Sequence, residues 1–246
     1  MNETIKQLME RKSVRAYENR PIPEAEKRAI LEAACAAPTA GNQQMYQILD
    51  ITDQKLKDTL AETCDHQPFI AKAPMILLFC ADCQKWYDAF ESGGCNPRRP
   101  REGDLLLAFS DANIAAQNAV TAAWSLGIGS CYIGDILEQC ETHRKLLHLP
   151  DYVLPAAMVV FGYPAAGQME RQKPRRQPLS AIVHENTYHR LDAGELRDAL
   201  GYKAEVRPYA EWLQRFCDIK FNAAFSREMA RSVAVYLEPF RADEQA

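Results

Sequence analysis

The sequence predicts a globular protein that combines helices with short strands, and three observations lead there. Stretches with apolar residues three and four apart alternate with short apolar runs, the signatures of helices and strands. Hydrophobic residues make up 47% of the chain and charged residues 25%, a soluble composition rather than a disordered one. At 246 residues the chain can bury a sizeable core without disulfides or metals, as one large domain or two small ones.

Residues 2–10 read as a helix with Ile5, Leu8 and Met9 on one side, followed by Arg11-Lys12-Ser13-Val14-Arg15. Pro21-Ile22-Pro23 announces a second helix from Ala25 to about Ala36, which stops at Pro38. Pro38 to Gln44 is a polar loop, and Met45 to Ile51 alternates as a strand does. A helix over 54–63 precedes Met75 to Ala81, an apolar run of strand length expected to be covered on both faces. Residues 92–103 have loop composition. Asp104 to Leu126 is one long alanine-rich helix, apolar nearly all round but interrupted by Asp104, Asp111, Asn113, Gln117 and Asn118, which exclude a bilayer span. Strands follow around Ser130–Ile133 and Ala156–Gly162, separated by a charged helix over 138–147. From Lys173 onward the chain has too little continuous apolar sequence for a core of its own, so it is expected to wrap over another surface.

Composition narrows the function. Eleven glycines against fourteen prolines exclude glycine-rich repeats and require any nucleotide site to place a few glycines carefully. A net charge of -4 argues against a general nucleic-acid binder. Eight cysteines, several within apolar stretches, suit reduced thiols in a cytoplasmic protein, and no signal peptide is recognisable at the start of the sequence.

Several motifs carry chemistry. Gly127 to Asp135 nearly matches two phosphate-binding fingerprints and satisfies neither: Tyr132 stands where the dinucleotide pattern needs a small residue, and Asp135-Ile136 where a P-loop needs Lys and Ser or Thr. A helix C-cap accounts for Gly127, whereas Gly134 leaves backbone room at a strand end. If residues 11–15 are extended, Arg11, Ser13 and Arg15 point the same way and could surround one anion; a solvated basic turn is the alternative. The same two readings apply to Arg171, Lys173, Arg175 and Arg176, where Pro174 stiffens the chain. Cys80 and Cys83 have the spacing of half a zinc site without a second pair, so no metal is expected, and the five histidines form no metal spacing. No nucleophile elbow is present.

Taken in order, Arg11 to Tyr17, Ala37 to Gln44, Gly127 to Asp135, and Lys173-Pro174-Arg175 resemble the FMN-dependent nitroreductase family, over about residues 1–190 and nearest its oxygen-insensitive, NADPH-preferring nitroreductase and flavin reductase branch. The resemblance implies an α+β fold, a mixed central sheet flanked by helices in an intertwined homodimer, with FMN at the subunit interface. It implies an FMN-binding domain over 1–190 and a C-terminal extension over 191–246 that embraces the partner or lines the site without being an independent domain. It also gives the helix at 104–126 a reason to be apolar all round, at the core of the dimer.

By the same resemblance, Arg11, Lys12 and Ser13, with Lys173 and Arg175, would hold the FMN phosphate. Arg15 would lie toward the pyrimidine end of the ring, as an electrostatic tuner rather than a catalytic group. Asn42, Gln44 and Gln67 would offer amide hydrogen bonds, and the backbone of Cys131, Tyr132, Ile133, Gly134 and Asp135 would pass beside the ring. Asp135-Ile136 departs from the branch, which has a second glycine and a basic residue there. The group that would receive the NADPH 2′-phosphate is not matched; Arg98, Arg99, Arg101, Arg227 and Arg231 are candidates. The implied activity is ping-pong hydride transfer from NAD(P)H, NADPH preferred, through FMN to nitroaromatics, quinones or flavins. A flavin reductase dedicated to a partner monooxygenase, another specialised member of the fold and a non-catalytic FMN redox sensor are the alternatives.

Overall fold

Strands β2 (Met75–Asp82) and β4 (Val153–Gly162) are buried at every position and form the centre of a four-stranded sheet. In the computed structural model, which describes residues 1–204 and 206–241, the strand order is β1 (Tyr46–Asp50), β2, β4, β3 (Gly129–Ile133). All three ladders are antiparallel, and parallel pairing enters only as an isolated bridge between Ser13 and Ser130 among the described residues. The mixture expected of the sheet is confined to that bridge. β4 begins earlier than its apolar run suggests because Pro155 lies at the register irregularity opposite Phe79 and Cys80, one of the few places a ladder accepts proline.

The sheet separates two apolar clusters. Met75, Leu77, Phe79 and Ala81 face one of them, together with Ile30 and Ala34 of α2 (Glu24–Cys35) and the alanines of α6 (Glu102–Ser125). Ile76, Leu78 and Cys80 face the other, with Leu60 of α3 (Gln54–Thr63) and Ile70 of α4 (Pro68–Ala71). Period-two alternation in a strand buried on both sides produces this division. Ala108, Ala112, Ala115, Ala119 and Ala123 let α6 lie close to the sheet. The other side of α6 leaves Leu106 68% exposed and Leu107, Ile114 and Leu126 partly uncovered. Helix α1 (Glu3–Glu10), capped by the Asn2 side chain at Ile5 N, likewise exposes Ile5, Leu8 and Met9.

Helix α5 (Gln84–Ser92) follows β2, and α7 (Cys140–Leu146) precedes β4. The chain divides into two units: Met1–Arg171 together with the stretch from Glu228, and Gln172–Arg227. The boundary expected near residue 190 falls inside the second unit, which holds α8 (Ala193–Leu200) and α9 (Tyr209–Lys220). Helix α10 (Ala224–Arg241) returns to the first, where Tyr236 and Phe240 enter the core. Ser232 Oγ accepts from Cys140 N and donates to Leu137 O there. Among the described residues, no helix is long and apolar enough to cross a membrane.

Candidate functional site

The Arg11–Arg15 segment is laid along the free edge of β3. Val14 N donates to Ser130 O at 3.0 Å, and the Val14 side chain is fully buried. This close approach requires Gly129, since a Cβ there would stand 2.5 Å from Val14 Cγ2. With Val14 turned inward, exposed Ser13 and Arg15 flank it on the outward side, as alternation in an extended segment dictates. The buried Cys131 thiol is pushed up by burial, while Arg15, Ser13 and Arg11 pull it back, so these three groups converge on β3. Lys12 clamps the chain that leaves β4: its ammonium donates to Met169 O (2.8 Å) and Arg171 O (2.7 Å). Lys173 and Arg175 belong to the second unit, where Arg175 lies 5.2 Å over the Tyr202 ring.

Past the end of β3 the chain turns through Gly134–Leu137, and Asp135 meets Gln67 there. Gln67 Nε2 donates to Asp135 Oδ2 and to Cys64 O, both at 2.8 Å. A backbone carbonyl only accepts, so the amide orientation is fixed, and both N–H groups are used. Gln67 Oε1 is the atom left to accept from another molecule. The turn that delivers Gln67 has left-handed Asp65 (φ 59°) and His66 (φ 50°), and Arg15 sits 5.9 Å over Phe69 just beyond. Near Asp135 stands Glu138, 5% exposed and pushed up to about 7, chiefly by burial and next by the Asp135 charge. Neither the Gln67–Asp135 bond nor the burial of Glu138 is apparent in the sequence.

Asn42 and Gln44 lie on a separate loop of the same unit. Gly41, Asn42 and Gln44 all adopt positive φ (57°, 55° and 51°), costly for the two with side chains. Anchors from elsewhere hold the loop. Asp111 of α6, 2% exposed, accepts from Ala40 N (3.0 Å) and Met45 N (3.4 Å). Trp86 Nε1 donates to Gln43 O at 2.7 Å, and Lys85 Nζ to Gln44 O at 2.6 Å. Asp111 is thus more than a polar interruption of a helix. Its signal in the sequence is an acid in an otherwise small, apolar face.

The remaining candidates resolve differently. Cys83 faces the α6 side of the sheet and Cys80 the other, so they do not share a ligand, and burial pushes both thiols up to about 12. Arg98 makes a two-pronged pair with Asp104 (2.6 and 2.9 Å) at the start of α6. Arg231 binds the carboxylates of Glu141 and Glu228 through Nε and both terminal nitrogens, which commits it to fastening α10 rather than to a nucleotide phosphate. The loop at 92–103 borders an apolar cavity of about 370 Å³ lined by Trp86, Tyr87, Phe90, Pro97, Pro100 and Leu107.

The donor set suits FMN. Near the start of β3 are guanidiniums and a hydroxyl for a phosphate; past its end are an amide acceptor and Gly134, with no atom within 4 Å of the place a Cβ would occupy. An elongated anion with a flat polar ring matches charge at one end and open backbone at the other.

Fold and site together define a flavin-type oxidoreductase scaffold, and residues 8–163 match the model of the Nitroreductase family. The chain belongs to that family. It is 32% identical over 240 residues to an FMN reductase [NAD(P)H] of Bacillus subtilis, covering 97% of this chain and 92% of the relative. An oxygen-insensitive NADPH nitroreductase of Salmonella typhimurium is 34% identical over 192 residues, 78% of this chain and 77% of that protein. Among solved structures, NfrA1 of B. megaterium superposes with a TM-score of 0.83 at 28% identity, covering 96% of this chain and 98% of that one. The α+β nitroreductase fold expected from the motifs is the fold observed.

Proposed function

We propose that this chain is an FMN-dependent NAD(P)H oxidoreductase that reduces nitroaromatics, quinones or free flavin. The observation that carries the reading is the pairing of the Arg11–Arg15 segment along β3, which brings its basic and hydroxyl side chains to that strand, with Gln67 and Asp135 at its end, in a nitroreductase-family chain. FMN, when bound, supplies the chemistry: it accepts hydride from NAD(P)H and delivers it to the acceptor. Arg11 and Ser13 bind the phosphate, and Arg15 offers a fixed cation to the negative charge that hydride transfer creates. Gln67 orients the ring through its amide oxygen, and Gly134 keeps side-chain bulk away from it. No residue need act as nucleophile.

The uncovered apolar sides of α1 and α6 support a homodimer, in which the Asn42 and Gln44 loop serves the partner's site and the C-terminal extension reaches the other copy through α8 and α9, ahead of α10, which packs in its own core. Free flavin gains weight as acceptor from the two B. subtilis relatives, both named FMN reductases. NADPH is the preferred donor by the naming of the branch the motifs resemble.

Purified protein should be yellow, with about one FMN per chain, and should turn over nitrofurazone, a quinone and FMN in parallel assays with NADPH. Protein that takes up no FMN contradicts the proposal; flavin without turnover favours the redox sensor. Arg11→Ala should weaken FMN retention far more than Arg99→Ala, and equal retention counts against the phosphate role of Arg11.

A further inference from the structure

A second cavity, of about 540 Å³, opens between residues 17–21, the start of α3 and the turn from α4 into β2. It lies within the unit Met1–Arg171, and none of the residues assigned to FMN lines it. Its floor is tightly packed. Tyr17 and Pro74 close on the end of β4 at Gly162, where a Cβ would stand 2.6 Å from Tyr17 Cδ1 and 2.8 Å from Pro74 Cδ.

Three cations line this cavity, Arg20, Lys57 and Lys72, against the single carboxylate of Glu18, which leaves an excess of two positive charges. None of the three has a carboxylate within ion-pair distance among the described residues. Lys57 is 8% exposed, and its ammonium donates to Ala73 O (3.2 Å) and Pro74 O (3.5 Å). Fastening two neutral carbonyls needs N–H groups but no charge, and one of the three N–H groups is left over. Asp50, the carboxylate that acts on Lys57, is bound by Lys27. An ammonium buried without a counter-ion of its own is costly, and an anion in the cavity would offset that cost.

Arg20 is laid flat over the Tyr163 ring, 3.7 Å from its centre, and the Tyr163 hydroxyl is itself fixed by donating to Glu26. Stacking uses the face of the guanidinium and leaves its in-plane N–H groups free to meet two oxygens of one anion. Lys72 is exposed at the end of α4, on the rim. Gln54 Nε2 donates to Asp58 Oδ1 (2.8 Å) and Ala71 O (3.1 Å), so both N–H groups are used and Oε1 is left to accept from a hydroxyl.

We propose that this cavity binds a small phosphate ester, its phosphoryl group held by Arg20, Lys57 and Lys72 and its hydroxylated body against Gln54, at a site separate from that of FMN. The charge excess matches a phosphate monoester, which carries about −1.5 to −2 at neutral pH, whereas one carboxylate would neutralise only half of it. The volume falls in the range of small-molecule sites, roughly 300–1,000 Å³, and a bare phosphate would leave most of it empty. The inference does not depend on the reading of the flavin site.

The test titrates FMN-saturated protein with ribose 5-phosphate in phosphate-free buffer by isothermal titration calorimetry, with inorganic phosphate and ribose in parallel. The ester should bind saturably at one site per chain, phosphate more weakly and ribose not at all. Arg20→Gln and Lys72→Gln, both at exposed side chains outside the core, should each weaken the ester about tenfold or more, and Lys57→Met should weaken it further. Arg99→Ala, which removes a cation elsewhere, should leave it unchanged. The proposal is overturned by the absence of saturable ester binding, by wild-type affinity in both Arg20→Gln and Lys72→Gln, or by ribose or phosphate binding as tightly as the ester. Release of FMN as the ester binds, read from the flavin absorbance of the dialysed protein, would place the ester in the flavin site and overturn it equally.

Discussion

The two stretches expected to touch flavin are built in opposite ways. Arg11–Arg15 is ordered by backbone pairing along β3, with Val14 as a peg in the core and ordinary extended torsions. The loop at 39–45 is ordered against its torsional preference, by Asp111, Lys85 and Trp86 reaching it from two helices. A segment anchored by its own backbone depends on small, local features such as Gly129. A loop held in left-handed torsions depends on distant side chains, and losing one should release several residues together.

The largest effect is expected at Asp111. Asp111→Ala leaves Ala40 N and Met45 N without their acceptor and should cost about 3 kcal/mol in chemical denaturation. A loss below about 1 kcal/mol would mean that the loop is held without α6. Gly129→Ala comes next. Its Cβ would drive Val14 off β3, costing about 2 kcal/mol, and FMN should dissociate more readily because Ser13 and Arg15 move with it. Unchanged melting temperature would show that the edge pairing adjusts freely. Trp86→Phe, which removes the donor to Gln43 O together with part of the ring, should cost about 1 kcal/mol or more and raise proteolysis near residue 43.

The smallest effect separates the end of β3 from both regions. Glu138 holds its proton to about 7 in the folded chain against an ordinary value of 4.5, so the folded state binds the extra proton. Stability is then greatest at the acid end of that window and falls as pH rises through it, by at most about 1.4 kcal/mol per pH unit. Glu138→Gln should remove that slope in urea titrations across the window. A stability curve of identical slope in the variant would assign the dependence to another group.

Much of the fold was legible because it depends on local pattern. The buried strands β2 and β4 are continuous apolar runs, and α6 declares itself by its alanines. Helix α4 was not, being only four residues long, nor was α5, whose apolar side rests on the aromatics Trp86, Tyr87 and Phe90. At the site, the same-side placement of Ser13 and Arg15 follows from alternation. The Gln67–Asp135 bond joins residues 68 apart, and the Asp111 anchor joins residues 66 and 71 apart, distances over which no local period operates. Asp135 stood out as a departure from family pattern, but its partner could be found only in the folded chain.

The most direct test of the central claim is the absorption spectrum of the purified protein during anaerobic addition of NADPH and then, in a second sample, NADH. The account expects a visible flavin band that bleaches with about one equivalent of NADPH and returns when nitrofurazone or a quinone is added. A flavin band that persists through excess NADPH and NADH, in protein shown to be folded, would contradict it.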